Sequence, residues 1–339
     1  QVAPLFTDLE ASLGSDGRQH RLHALALTLP QGRLQLALGV DGAAPHALDG
    51  EGSFEGVIEG RAFAARFSAG HTLLEPHLRF DAEGEGVQAK VELEAESLAP
   101  MPLRRLHLQA AELDPAAFVE GAPRAALSLE AELAPAADGA SLLVGPVRIV
   151  NRLPQAVDLG GIPLLSVDGR LEWREDAVAV DALELRLPGD GRIGGRMAWQ
   201  RGAHEEGEGG AEAESSVAGA DIADEGFGRV LAALELSGVD PGLLDTRLPR
   251  QLLAGRIDAE GDASSQQARV ELALGRARID IQALLQDSVQ ASRQTFALNA
   301  RLRAVDPRAF VAEAPSARLD LDLAADGMLP VAGEPLSAA

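Results

Sequence analysis

A period of two runs through most of the chain and restricts its fold more than any other property. Leu34, Leu36, Leu38 and Val40 are interleaved with Arg33, Gln35, Ala37 and Gly39. Val91, Leu93 and Ala95 are interleaved with Glu92, Glu94 and Glu96, and Leu127, Leu129, Ala131 and Leu133 with Ser128, Glu130 and Glu132. The pattern returns over residues 178–187, 270–274, 298–302 and 319–323. Successive side chains on a strand point to opposite faces, so each segment has one apolar and one more polar face. Turn formers separate the segments: Gly14-Ser15-Asp16-Gly17, Asp41-Gly42, Pro188-Gly189-Asp190-Gly191 and Asp326-Gly327. The chain reads as an all-β protein built from antiparallel amphipathic strands.

Helical signals are short, and one of them is repeated. LDPAAFVEGAP (Leu113–Pro123), VDPGLLDTRLP (Val239–Pro249) and VDPRAFVAEAP (Val305–Pro315) are versions of one phrase. Asp114, Asp240 and Asp306 suit a helix N-cap, and Pro115, Pro241 and Pro307 the first helical position. Phe118, Leu244 and Phe310 then stand at the fourth helical position. Leu113, Val239 and Val305 precede the caps, which is the spacing of a hydrophobic staple. A second proline, Pro123, Pro249 or Pro315, ends each turn. The predicted unit is strand, short capped helix, strand. The step from Asp240 to Asp306 is 66 residues and that from Asp114 to Asp240 is 126, close to two such steps. An elongated repeat array is expected, with segments 1–113, 114–239, 240–305 and a truncated further repeat over 306–339. The Gly- and Glu-rich run Ala203–Gly219 reads as a long solvated loop. Residues 227–234 suit a helix and 231–239 a strand equally well.

Composition narrows the function. The 339 residues carry a net charge of −22, which repels phosphate backbones and argues against nucleic acid and against electrostatic docking on anionic headgroups. There is no cysteine. No stretch of 18 apolar residues occurs. The first residue is Gln1, and the expectation is an interior piece of a longer protein. The histidines, His20, His23, His46, His71, His77, His107 and His204, form no His-Glu-x-x-His set. His20 with His23, or His71 with His77, are spaced to meet but lack a third ligand and read as solvent-facing. Glu92, Glu94 and Glu96 are a solvated face rather than an acid/base pair. GDGRIGG (Gly189–Gly195) reads as a hairpin turn, and EGEGVQA (Glu83–Ala89) leads into a strand where a dinucleotide fingerprint needs a helix. No catalytic residue, cofactor or metal is expected.

What remains is the apolar face. Hydrophobic residues make up 46% of the chain but aromatics only 3%, and tyrosine is absent. So many amphipathic strands with so few helices need other cover. Either two sheets close on a dry core, or one sheet curls around something apolar. Small aliphatic side chains suit a smooth lining for flexible acyl chains better than an interlocking core. The candidate lining is Leu34, Leu36, Leu38, Leu93, Leu127, Leu129, Leu183, Leu185, Leu272, Leu274, Leu319 and Leu321.

Three stretches carry a resemblance: ALTLPQGRLQLALGV (Ala26–Val40), ELRLPGDGRIGGRMAW (Glu184–Trp199) and, most clearly, Gly145–Leu187, where Asn151, Pro154, Asp158, Pro163, Leu164, Leu171 and Trp173 make the match. Together with the Asp-Pro units they resemble the TamB family of proteobacterial envelope proteins, the inner-membrane component of the translocation and assembly module, within the wider AsmA-like group. The resemblance implies an open, taco-like β-groove in the periplasm, tethered to the inner membrane by a helix outside this chain. It implies that the groove binds phospholipid acyl chains and conducts phospholipids between inner and outer membranes, with a role in autotransporter assembly. An Omp85-type outer-membrane barrel, TamA, would be met through parts not in this chain. The competing expectation is a structural or adhesive solenoid or sandwich with a dry core and no ligand.

Overall fold

The computed structural model describes residues 7–58, 60–137, 142–202, 228–288, 293–309 and 314–330. The first strands are β1 (Asp8–Ser15), β2 (Gln19–Leu29), β3 (Gly32–Asp41), β4 (Leu48–Ile58), β5 (Arg61–His71), β6 (Pro76–Gly84) and β7 (Val87–Ala95). There follow β8 (Leu103–Leu113), β9 (Leu127–Pro135), β10 (Leu143–Asn151), β11 (Ser166–Trp173), β12 (Ala177–Arg186) and β13 (Arg192–Gln200). The last are β14 (Arg229–Val239), β15 (Leu253–Gly261), β16 (Ser265–Leu274), β17 (Ala277–Ser288), β18 (Arg293–Val305) and β19 (Leu319–Pro330). Each strand pairs antiparallel with its neighbours in sequence, from β1·β2 through β18·β19. Among the described residues β1 and β19 do not pair with each other, so the nineteen strands form one open, unclosed sheet and no second sheet faces it. At about 4.8 Å between strands, the sheet runs roughly 85 Å from edge to edge. The fold is all-β, an elongated open groove of antiparallel strands with short capped turns between them. The expected boundaries at 114, 240 and 306 fall in connections between consecutive strands of this sheet.

The Asp-Pro phrases form capped turns, the first of them shorter than the sequence suggests. Asp114 Oδ1 accepts from the Ala116 amide at 3.2 Å and the Ala125 amide at 3.3 Å. Asp306 Oδ1 accepts in the same way from Arg308 (3.1 Å) and Ala317 (3.5 Å). Asp240 takes the Gly242 amide at 3.0 Å and the Arg250 guanidinium Nε at 3.1 Å. One carboxylate thus starts the turn and also fastens the chain ten or eleven residues on, where the next strand is about to begin. That double tie limits how far a helix can grow. The one-turn α1 (Pro241–Leu244) is α-helical and reaches Leu244; Pro115–Ala117 is a single 3-10 turn, and Pro307–Ala309 is 3-10 as far as the described residues run. Phe118 therefore follows its turn instead of occupying a fourth helical position. The residue sealed in there is Ala117, 1% exposed, against Gly86 of the β6–β7 turn. In α1 it is Gly242. Phe310 lies outside the described residues, as does the expected loop Ala203–Gly219. The stretch after it is strand β14, not a helix.

A bulge precedes each phrase. Glu112, Gly238 and Ala304, each two residues before the aspartate, have φ of 57°, 62° and 53°. Each sits at a register shift, of β8 against β9, β14 against β15 and β18 against β19. The extra residue twists the strand end. Val239 and Val305, next in line, are each 3% exposed. The turns follow β8, β14 and β18, so the double step spans six strands and the single step four. The unit repeated without exception is the antiparallel hairpin.

Two buried clusters lie towards the ends of strands. Leu274, Ala277 and Val305 form one buried cluster, with Leu253, Ile279 and Leu302 against it. Met101, Leu133 and Leu143 form the other, with Leu103, Leu106, Val147 and Leu171 against it. Leu133 and Leu143 are the only large side chains almost fully buried among the described residues.

Candidate functional site

Residues opposite each other on paired strands point to the same face. The register can therefore be followed from strand to strand. From Leu9 the opposed residues are Leu27, Leu34, Phe54, Ala65, Ala82, Ala89, Ala110 and Leu129. The row continues through Ile149, Val167, Leu185, Ile193, Leu236, Gly255, Leu272, Ile279, Leu302 and Leu321. It crosses all nineteen strands without meeting a polar side chain. A parallel row, Leu25, Leu36, Gly52, Phe67, Phe80, Val91, Leu108, Ala131 and Val147, accompanies it over β2 to β10. Another, Leu183, Gly195, Leu234, Ile257, Val270, Ile281, Ala300 and Leu323, does so over β12 to β19.

The opposite face carries a charged row. Ser53, Arg66, Asp81, Lys90, Gln109, Glu130, Arg148, Asp168 and Glu184 stand opposite one another in turn. Beyond Gly194 come Glu235, Arg256, Glu271, Asp280, Arg301 and Asp322. Its ion pairs, Arg148–Asp168 at 3.5 Å among them, are exposed and contribute little each. Two adjacent alanines of β5 show which face is enclosed: Ala65, in the apolar row, is 4% exposed, whereas Ala64, on the charged face, is exposed.

All twelve leucines proposed as lining stand on the apolar face. Leu34, Leu129, Leu185, Leu272 and Leu321 belong to the long row, and Leu36 and Leu183 to its companions. Leu38 and Leu93 lie one step further along their strands, in a row through Leu78. Leu127, Leu274 and Leu319 are two residues from row members and share their direction. Most are only half-buried, and Leu321 and Leu319 on the edge strand are 50% and 47% exposed.

Part of the lining is aromatic and lies in β4 to β6, where no aliphatic alternation marks it. Phe54, Phe63, Phe67 and Phe80 all point to this face, Phe54 and Phe63 with ring centroids 6.0 Å apart. Glycines oppose them. Phe63 faces Gly56 and Gly84, and the Phe67 ring covers the place a Cβ on Gly52 would take. Phe296 lies over Gly327 in the same way, 2.8 Å from its ideal Cβ position. A ring laid across a glycine fills the dent left by the missing side chain and keeps the surface level. Alternating glycines in a strand, as in GEGSFEG (Gly50–Gly56), are the sequence sign of such close approach.

Two apolar clefts open on this face. One, of about 250 Å³, is bounded by Leu36, Leu38, Phe67, Phe80 and Val91. The other, of about 580 Å³, is bounded by Val230, Ala268, Ala283, Leu285, Phe296 and Leu298. The charged face has hollows too, one of about 790 Å³ around Arg66, Asp81, Lys90 and Glu130.

The residues of the Gly145–Leu187 stretch hold one rim together. Asn151, 3% exposed, accepts from the Ala126 amide (3.2 Å) and the Leu153 amide (3.0 Å) and donates to the Ile162 carbonyl (3.0 Å). Asp158 accepts from the amide of Thr246 at 2.9 Å and from its hydroxyl, across 88 positions of sequence. Those bonds hold the Asp158 carboxyl below the usual carboxylate range. Nearby, the Arg247 guanidinium holds Asp245 down to about 2. Leu171 packs on the buried cluster, Pro163 and Leu164 are half-buried, and Pro154 and Trp173 are exposed. His71 and His77 do meet, stacked with centroids 4.6 Å apart. Among the described residues no three His, Asp or Glu side chains converge as metal ligands.

Comparison with protein-family models, curated proteins and solved structures finds no match to this chain.

Proposed function

We propose that this chain is a segment of a TamB-like bridge, a periplasmic groove that moves phospholipids between inner and outer membranes. The observation that carries the reading is the apolar row from Leu9 to Leu321, unbroken across an open sheet. Its chemistry suits an acyl chain. Every CH₂ held in water costs about 0.8 kcal/mol relative to an apolar setting. A chain passing from a bilayer to such a lining exchanges one apolar surrounding for another, while the headgroup stays at the wet opening. Movement along the row then needs no nucleotide and no catalytic group, because neighbouring positions offer similar surroundings. Small side chains and levelled glycines keep the surface even from one strand to the next. The periplasmic setting, the membrane tether and the Omp85-type partner come from the family resemblance and belong to the same proposal.

Mass spectrometry of lipid co-purifying with this chain tests the reading. Phospholipid at defined stoichiometry is expected after detergent-free purification. Lipid-free protein that also takes up none from vesicles would favour a structural solenoid instead.

A further inference from the structure

We infer that the groove is divided: acyl chains rest at two stations, separated by a neck at β8 to β11. This rests on the lipid reading above. The stations are the two apolar clefts, one around Phe67 and Phe80 and one around Phe296. On the apolar face both are bounded by hydrocarbon side chains and glycine, apart from Gln266 at the margin of the second; Glu51, Arg79 and Glu260 belong to the opposite face of their strands. An unbranched apolar chain needs no polar partner, whereas a docked peptide would leave its own backbone unsatisfied there.

Between the stations the apolar face is filled from both ends of its strands. At one end Met101, carried on the β7–β8 connection, is buried with Leu133 and Leu143. At the other end Asn151 binds the β10–β11 connection down, and Ala125 and Ala156 are buried beside it. Open lining at β9 and β10 narrows to two rows, Leu129 with Ile149 and Ala131 with Val147. In β4 and β5 three rows are only half-buried, Gly56 with Phe63, Gly52 with Phe67, and Gly50 with Ala69, although Ala65 between them is buried. A lipid therefore has more apolar contact on either side of the neck than within it, so Met101 is a positioning residue that sets the width of the passage.

Site-specific photo-crosslinking tests the division. p-Benzoylphenylalanine replaces Phe80, Phe296 or Ile149 in separate full-length proteins, each checked for β-structure by circular dichroism. The proteins are loaded from phosphatidylethanolamine–phosphatidylglycerol vesicles and irradiated. Lipid adducts are expected at Phe80 and Phe296, with labelling at Ile149 about tenfold weaker. In a Met101→Ala background labelling at Ile149 rises severalfold while the other two positions hold. Equal labelling at all three positions overturns the stations and leaves the conduit standing. Labelling at Ile149 that ignores Met101→Ala overturns the neck. No adduct at any position overturns the lipid reading itself, and the stations with it.

Discussion

The three bulge residues give a controlled comparison at the scale of single side chains. Gly238, Glu112 and Ala304 adopt the same left-handed conformation before the same Val/Leu-Asp-Pro sequence. A Cβ is disfavoured there by about 1–2 kcal/mol, partly offset by the greater backbone entropy glycine loses on folding. Ala304→Gly should therefore raise stability by about 0.5–1 kcal/mol and Gly238→Ala lower it by about 1 kcal/mol, measured by urea denaturation. A loss on Ala304→Gly would mean the side chain has a role the bulge does not explain. Asn151 offers the opposite case. Its amide satisfies two backbone N–H groups and one carbonyl in a buried position. Asn151→Ala leaves them without partners and should cost about 2–3 kcal/mol, again read from the denaturation midpoint.

At the scale of elements, the connections along one end of the sheet fasten to one another. Thr246, just beyond α1, reaches Asp158 in the connection between β10 and β11. Because those bonds hold the Asp158 carboxyl below its ordinary range, the charged form favours the folded state. The stabilisation is present above the unfolded carboxylate pKa, near 4, and fades as the pH falls through the lower folded value. Asp158→Ala should thus lower the melting temperature at pH 7, with the gap from the parent closing as the pH falls below about 4. A gap independent of pH would show that charge is not what the residue contributes.

The same connections show what local sequence reveals. Aspartate followed by proline announces a cap, and the caps form. The length of each turn is decided elsewhere, by the tie from the aspartate to a residue ten or eleven positions on and by the bulge before it. Of these, only Gly238 leaves a visible mark in the sequence. In β4 the lining positions are Gly50, Gly52, Phe54 and Gly56, so the strand lacks the aliphatic rhythm that marks β3 or β9. Its neighbour supplies the missing volume. The Met101–Leu133–Leu143 cluster is more remote still, since it joins one connection to two strands and no local pattern encodes that meeting.

For the whole molecule, period-two alternation makes the all-β class readable, whereas the openness of the sheet is seen only in β1 and β19 not pairing among the described residues. The central claim is that the row from Leu9 to Leu321 is a surface for acyl chains rather than a core. Arginine in the row separates these directly. In an open groove its long side chain reaches water, so the fold survives while a charge stands in the lipid path. In a closed core the same residue is buried unpaired and unfolds its surroundings. The decisive measurement is thermal unfolding together with bound phospholipid, quantified by mass spectrometry on the same samples of parent, Leu129→Arg and Leu272→Arg. Lipid is expected on the parent, and the variants should melt within a few degrees of it but have lost most of that lipid. Unfolded variants beside a parent that carries no lipid would contradict the central claim.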